Sequence, residues 1–219
     1  MERHKNFISF EGIDFSGKST QIQLLLEKLN QYGIAPILLR EPGGTVISEK
    51  IRDILLSPVH REMTEKTEIL LYSAARAQLV HQEMIPLLKQ GKYIIADRFY
   101  DSTTAYQGYG RGLDLEVVRT LNRFATSGLT PYRTFYIDIL PEEAAKRKSS
   151  RGGEQDRLES GGLDFFERIR EGFLNLCNKE PQRFIRIDGN RNRMEIAEII
   201  WQEIMKIWSI RLEDFRTNK

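Results

Sequence analysis

Gly12-Ile13-Asp14-Phe15-Ser16-Gly17-Lys18-Ser19 decides the fold of this 219-residue chain. The stretch matches GxxxxGK[ST], a loop whose glycines let the backbone wrap a polyphosphate with its amides pointing inward. Lys18 adds a positive charge at the outer phosphates, and Ser19 offers a hydroxyl to Mg²⁺. The flanks are those the loop needs. Phe7-Ile8-Ser9-Phe10 before it suits a buried strand, and Ile22, Leu25, Leu26 and Leu29 after it fall on one face of a helix. The chain is therefore expected to bind a nucleoside triphosphate, with Gly12, Ile13, Asp14, Phe15, Ser16, Gly17, Lys18, Ser19 and Thr20 around the phosphates.

Outward from the loop, strands and helices alternate. Apolar runs at Phe7–Phe10, Ile37–Leu39, Tyr93–Ala96, Phe135–Ile139 and Phe184–Ile187 are expected strands, separated by amphipathic stretches. Gly33 and Gly91 mark helix stops, Pro141 a helix start, and Ile196, Ile199, Ile200, Ile204 and Ile207 the core face of a last helix. This order predicts an α/β fold, a five-stranded parallel sheet covered on both faces. Neither an internal repeat nor a low-complexity linker interrupts it, so residues 1–219 are expected to form a single domain.

Composition narrows the partners. Hydrophobic residues make up 40% of the chain, enough for a sizeable core, and the net charge of +2 is too mild to argue for nucleic acid. Cys177 is the single cysteine, so no internal disulfide forms, and it is read as a small buried apolar residue. The sequence holds no long apolar segment for a signal peptide or membrane span. A cytoplasmic setting without membrane or nucleic-acid partners is expected.

Ligands on parallel sheets lie beyond the carboxyl ends of the strands, and every strand end here carries charge. The second strand runs into Arg40-Glu41-Pro42-Gly43-Gly44-Thr45, the third into Asp97-Arg98, the fourth into Asp138 and the fifth into Asp188-Gly189-Asn190-Arg191. Asp97 has the form of a Walker-B acid that holds Mg²⁺ or its water shell. Arg40 and Arg98 read as anion clamps, because guanidinium binds phosphate bidentately. Asp14 opposes phosphate binding and so needs another partner, such as a ligand hydroxyl or the magnesium shell.

Two further segments complete the expected site. Thr64–Leu88 reads as one long helix with Glu68, Tyr72 and Arg76 on one face, an aromatic beside an arginine as a nucleobase site requires. Ser102-Thr103-Thr104-Ala105-Tyr106-Gln107 adds hydroxyls and a second aromatic. The basic segment Lys146 to Arg157, loosened by Gly152-Gly153, reads as a mobile lid at about 148–161 whose arginines neutralise phosphoryl transfer.

Taken together, these segments resemble the thymidylate kinase family over nearly the whole chain. The resemblance rests on Phe10-Glu11-Gly12-Ile13-Asp14 through Thr20, Arg40-Glu41-Pro42-Gly43-Gly44-Thr45, Tyr72-Ser73-Ala74-Ala75-Arg76, Asp97-Arg98 through Gly108, and Asp156-Arg157-Leu158-Glu159. It implies a nucleoside-monophosphate-kinase-like P-loop fold and transfer of the γ-phosphoryl group of ATP to dTMP for dTTP synthesis, with Mg²⁺, in a homodimer. It implies that Asp14 contacts the 3′-hydroxyl of dTMP, that Arg40 and Arg98 hold its phosphate, and that Tyr72 stacks on thymine. It also implies that Arg76 and Thr103 hydrogen-bond that base, with Ser102 and Gln107 nearby, and that Tyr106 crowds the 2′ position. Arg147 is matched to an arginine packed on adenine, with Asn190 and Arg191 at its border.

The chain departs from part of the family at Phe15, where some members carry an arginine. It matches the subgroup that supplies the catalytic arginine from the lid, so Arg151 and Arg157 join Lys18, Asp14 and Arg98 as expected catalytic residues. Tyr132-Arg133 replaces a frequent acidic residue. No general base is apparent, and none is needed, since a phosphate monoester with a second pKa of about 6 is already largely dianionic at neutral pH. Another P-loop kinase of a deoxynucleoside or nucleoside monophosphate, and a slow nucleotide-dependent switch, are the rival readings. Paired Arg40 and Arg98 favour an acceptor that carries phosphate, and the basic lid argues against a switch.

Overall fold

The computed structural model describes residues 2–151, 157–158 and 162–210. Five strands form one parallel sheet in the order β2-β3-β1-β4-β5, with β1 (Glu2–Glu11) at the centre, β2 (Ile37–Arg40), β3 (Ile94–Asp97), β4 (Leu129–Asp138) and β5 (Phe184–Asp188). Each expected strand is present. β1 and β4 begin earlier than their apolar runs suggest, because they pair along their polar first halves, from Glu2 opposite Leu129 to Glu11 opposite Tyr136. Pro131 lies inside that first half, which masks the strand in sequence. The register Phe10↔Asp97 and Arg40↔Asp97 brings three carboxyl ends to one line beside the phosphate loop.

Helices cover both faces. On one face α1 (Lys18–Gln31) and α9 (Arg193–Trp208) pack Ile22, Leu25, Leu29, Ile196, Ile200 and Ile204 against Ile8, Phe10 and Phe135 of the sheet. On the other lie α2 (Val46–Leu56), α3 (Glu65–Leu79), α6 (Leu115–Thr126) and α8 (Leu163–Lys179). Thr64 caps α3 by accepting from the Thr67 amide. The expected single helix from Thr64 is helical throughout but passes through a π-helical turn, Val80–Met84, before α4 (Ile85–Lys89). Proline at the second position of α4 cannot supply an intrahelical amide, and the backbone widens just before it. The short α5 (Tyr100–Thr103) leads into a second π-helical stretch, Thr104–Gly110, and α7 (Pro141–Arg151) opens at Pro141 as expected.

A buried ion pair ties this scaffold together away from the strand ends. Arg183 grips both carboxylate oxygens of Asp101 at 2.5 and 2.8 Å, and both side chains are fully buried. Cys177 is half-buried, and burial pushes its thiol up to about 12, so it stays protonated at neutral pH.

Candidate active site

The phosphate loop follows β1 directly. Gly12 takes φ of +145°, and a Cβ there would lie 2.6 Å from the Ile137 carbonyl oxygen, so only glycine lets the loop pass this close to β4. Gly17 takes φ of +100° and starts α1, whose first turn holds no acidic side chain. The amides and the positive end of the helix dipole therefore face the loop without local competition. Lys18 folds across the loop and donates to the carbonyls of Gly12 at 2.9 Å and Ile13 at 3.0 Å. Burial, helped by Arg98, lowers its pKa to about 8 against the pull of Asp14, Asp97 and Glu11.

Two adjoining cavities open at the strand ends. The larger, about 770 Å³, is lined by the loop, Ser19, Thr20, Asp97, Arg147 and Arg191. The smaller is lined by Tyr72, Arg76, Ser102, Thr103, Tyr106 and Gln107. Asp14, Glu41, Arg52 and Arg98 line both, so the two spaces meet at these four side chains.

Arg98 dominates the junction. Its backbone is held at φ of +69°, a left-handed conformation that is rare for a long side chain. Its guanidinium donates to Asp14 at 2.6 Å, to the Gly12 carbonyl at 2.8 Å and to Ser102 at 3.1 Å, and lies 5.2 Å from the Tyr106 ring centroid. Burial disfavours the Asp14 carboxylate, but Arg98 and Lys18 outweigh it and hold the group below its usual range. The turn is fixed from behind by Glu11, which is fully buried and accepts from the Phe99 amide at 2.8 Å and the Ser102 hydroxyl at 2.5 Å. Burial, reinforced by Asp101, pushes Glu11 up to about 8.

On the α3 side, the face carrying Glu68, Tyr72 and Arg76 is buried. Arg76 donates to Glu41 at 2.7 Å, Asn122 at 3.2 Å and Thr103 at 3.0 Å. A guanidinium has five N–H groups, so these bonds leave two for a ligand. Burial raises the Glu41 pKa against the opposing charge of Arg76, and one Glu41 oxygen is buried without a hydrogen-bond partner among the described residues. The Tyr106 hydroxyl is buried beside Arg98 and Asp14, also without a partner at hydrogen-bonding geometry.

Arg147 links the loop to the end of β5. It donates to the Gly189 carbonyl and to Asn190, each at 3.1 Å, and to Glu143 of its own helix at 3.0 Å. Arg40 lines only the larger cavity and is turned to Glu49, donating to both its oxygens at 3.0 Å. Arg157 departs from the lid expectation. It lies on the α3 side, donates to Glu68 at 2.5 Å and to the Leu55 carbonyl at 2.9 Å, and lines neither cavity. Arg151 ends α7, but its side chain and most of the expected lid, residues 152–156 and 159–161, lie outside the described residues.

A metal-binding reading fits the larger cavity. Among the described residues no group of three or more His, Cys, Asp or Glu forms a self-sufficient metal cage. Mg²⁺ at a nucleotide needs none, taking one or two protein oxygens and completing its shell with phosphates and waters. Ser19 and Asp97 face that cavity together, which is the donor set such an ion requires.

Residues 10–200 match the family model described as thymidylate kinase. The chain belongs to the thymidylate kinase family. It is 52% identical over 201 residues to a thymidylate kinase of Chlorobium luteolum, covering 88% of this chain and 94% of the relative. Identity to that of Pelodictyon phaeoclathratiforme is 46% over 216 residues, 95% of this chain and 97% of the relative. Identity to that of Kosmotoga olearia is 47% over 199 residues, 91% and 95% of the two chains. The family is one of ATP-dependent phosphotransferases acting on dTMP. Sequence reasoning missed Glu11, Arg52 and the pairing of Glu41 with Arg76. Glu41 stood inside a quoted motif without a role, and nothing local marked Arg52.

Proposed function

We infer that this chain transfers the γ-phosphoryl group of ATP to dTMP, with ATP in the larger cavity and dTMP in the smaller. The observation that carries the reading is that the two cavities meet at Asp14 and Arg98. The loop amides and Lys18 bind the ATP phosphates, Arg147 with Asn190 and Arg191 borders adenine, and Arg98 with Arg40 receives the dTMP phosphate. Tyr72 stacks on thymine, Arg76 and Thr103 hydrogen-bond it, and Ser102 and Gln107 complete the wall. Asp14 takes the 3′-hydroxyl, while the unpartnered Tyr106 hydroxyl faces the sugar and disfavours a 2′-hydroxyl.

An oxygen of the dTMP phosphate attacks the γ-phosphorus, the bond from that phosphorus to the β–γ bridging oxygen breaks, and ADP leaves with dTDP formed. No proton has to be abstracted, because the acceptor is already a dianion. The barrier is repulsion between anions, and Lys18, Arg98, Arg40 and a lid arginine lower it by position and charge. Ser19 and Asp97 would hold Mg²⁺, which would supply charge neutralisation at the ATP phosphates.

Two copies of the chain are proposed to pair through α3 and α6. These helices pack together, and Leu70 on α3 (56%) and Val117 (54%) and Phe124 (80%) on α6 are exposed. Among the described residues no helix is long and apolar enough to cross a membrane, and a cytoplasmic role in dTTP supply is the setting proposed. ADP release measured over the common nucleoside monophosphates tests the substrate. dTMP should be fastest and dUMP slower, whereas faster turnover of dCMP, dGMP or AMP contradicts the reading.

A further inference from the structure

We propose that Glu68 is a positioning residue that builds the acceptor pocket by clamping Arg157, Arg111 and Gln107 onto α3. The inference rests on the assignment of dTMP to the smaller cavity. It gives Arg157 a role in acceptor recognition in place of the catalytic role its sequence position suggests.

Glu68 is 1% exposed and receives three donor side chains from two separate parts of the chain. One oxygen accepts from Arg157 at 2.5 Å and Arg111 at 3.2 Å, and the other from Gln107 at 2.8 Å and Arg111 at 3.2 Å. Burial disfavours the charge, but Arg111, Gln107 and Arg157 outweigh it and hold Glu68 ionised. A buried carboxylate left without these donors carries a large desolvation penalty, so the cluster assembles as a unit.

The cluster controls two walls of the pocket. Gln107 lines the smaller cavity directly. Leu158, next to Arg157, is buried and lines the same cavity beside Tyr72 and Tyr106. Arg157 itself is fixed at both ends, its amide donating to the Leu56 carbonyl at 3.2 Å and its side chain to Glu68 and Leu55. Tyr72 and Arg76 follow Glu68 by one and two helical turns, so the anchor and the base-contacting side chains share one rigid face. Neither Glu68 nor Arg157 lines the larger cavity. Their loss should therefore act on dTMP and spare ATP.

The test is steady-state kinetics on the full chain for Glu68→Gln, Arg157→Met and the double variant, with Thr103→Val as a control for the acceptor site. Glu68→Gln keeps the shape and removes the charge. Arg157→Met keeps an apolar stem and serves if Glu68→Gln does not fold. The expected result is a KM for dTMP raised about 3- to 30-fold in each single variant, the range for residues that act on a site without touching the ligand. KM for ATP and kcat should stay within about twofold of the parent, and the double variant should be no worse than the poorer single one. A merely structural role would lower the folded fraction without separating the two KM values. A fall in kcat for Arg157→Met at unchanged KM for dTMP would overturn the proposal and return Arg157 to the reacting phosphates. If Thr103→Val raises KM for dTMP while both cluster variants leave it unchanged, the cluster proposal alone fails. If Thr103→Val also has no effect, the acceptor-site assignment fails with it.

Discussion

Asp14 and Arg98, 84 residues apart in the chain, meet at 2.6 Å on the boundary between the two cavities. On the proposed reading, the pair holds a cation where the two phosphate groups would meet. Asp14 holds the guanidinium in place, and the left-handed Arg98 backbone, braced by Glu11 through Phe99 and Ser102, aims it. On that reading an incoming acceptor phosphate would take over part of that interaction at the reacting centre.

Lys18→Ala should lower kcat by about 10²-fold or more, the cost of losing one preorganised donor to developing charge. Among the described residues the lysine's hydrogen bonds are to the loop carbonyls of Gly12 and Ile13, so the melting temperature should change little. Parallel kinetics and thermal melts check this, and an unchanged kcat would remove the phosphate loop from the mechanism.

Arg76→Ala should weaken dTMP by the loss of one charged hydrogen bond, about 1.5–3 kcal/mol, with KM for ATP nearly unaltered. It should also lower stability, because Glu41 loses its cation while remaining 4% exposed. Equal weakening toward both substrates would show that α3 forms no dedicated base pocket.

Arg151→Ala should lower kcat by about 10²-fold, less than the roughly 10³–10⁵-fold of an arginine finger, because Arg98 and Arg40 already supply charge. With Arg157 engaged by Glu68, Arg151 is the remaining arginine of the two expected from the lid. Calorimetric dTMP binding without ATP should match the parent. Parental kinetics in this variant would leave the subgroup assignment without its catalytic arginine.

Glu11→Gln should change how stability depends on pH. With a folded pKa near 8 against an ordinary value of 4.5, the folded protein holds a proton that the unfolded chain has released. Parental stability therefore loses this contribution progressively as pH rises from about 4.5 to 8. The glutamine does not titrate, so the melting temperature of the variant relative to the parent should climb between pH 5 and 8. A constant difference over that interval would show that Glu11 is ionised throughout.

Legibility followed locality. The phosphate loop, its strand and its helix lie within residues 2–31, and each signal there was complete in itself. The five apolar runs gave the sheet, because a strand buried on both faces needs little more than continuity. The polar halves of β1 and β4 were missed because their pairing, not their composition, makes them strands. The motif residues Asp14, Arg98, Tyr72 and Arg76 come together around the smaller cavity, so this part of the candidate site was legible. It was not legible where one side chain meets another across the sheet order, as Glu41 meets Arg76 or Glu11 meets Phe99 and Ser102. Arg157 shows the same limit from the other side: its position in a basic segment suggests phosphate, whereas its side chain pairs with a buried carboxylate on α3.

The most direct test of the account is a crystal structure of the protein with ADP, Mg²⁺ and dTMP. The account predicts the ADP phosphates on the amides of Gly12 to Ser19, thymine between Tyr72 and Arg76, and the dTMP phosphate against Arg98 in line with the β-phosphate of ADP. A dTMP molecule bound away from Tyr72 and Arg76, or a dTMP phosphate out of reach of Arg98, would contradict it.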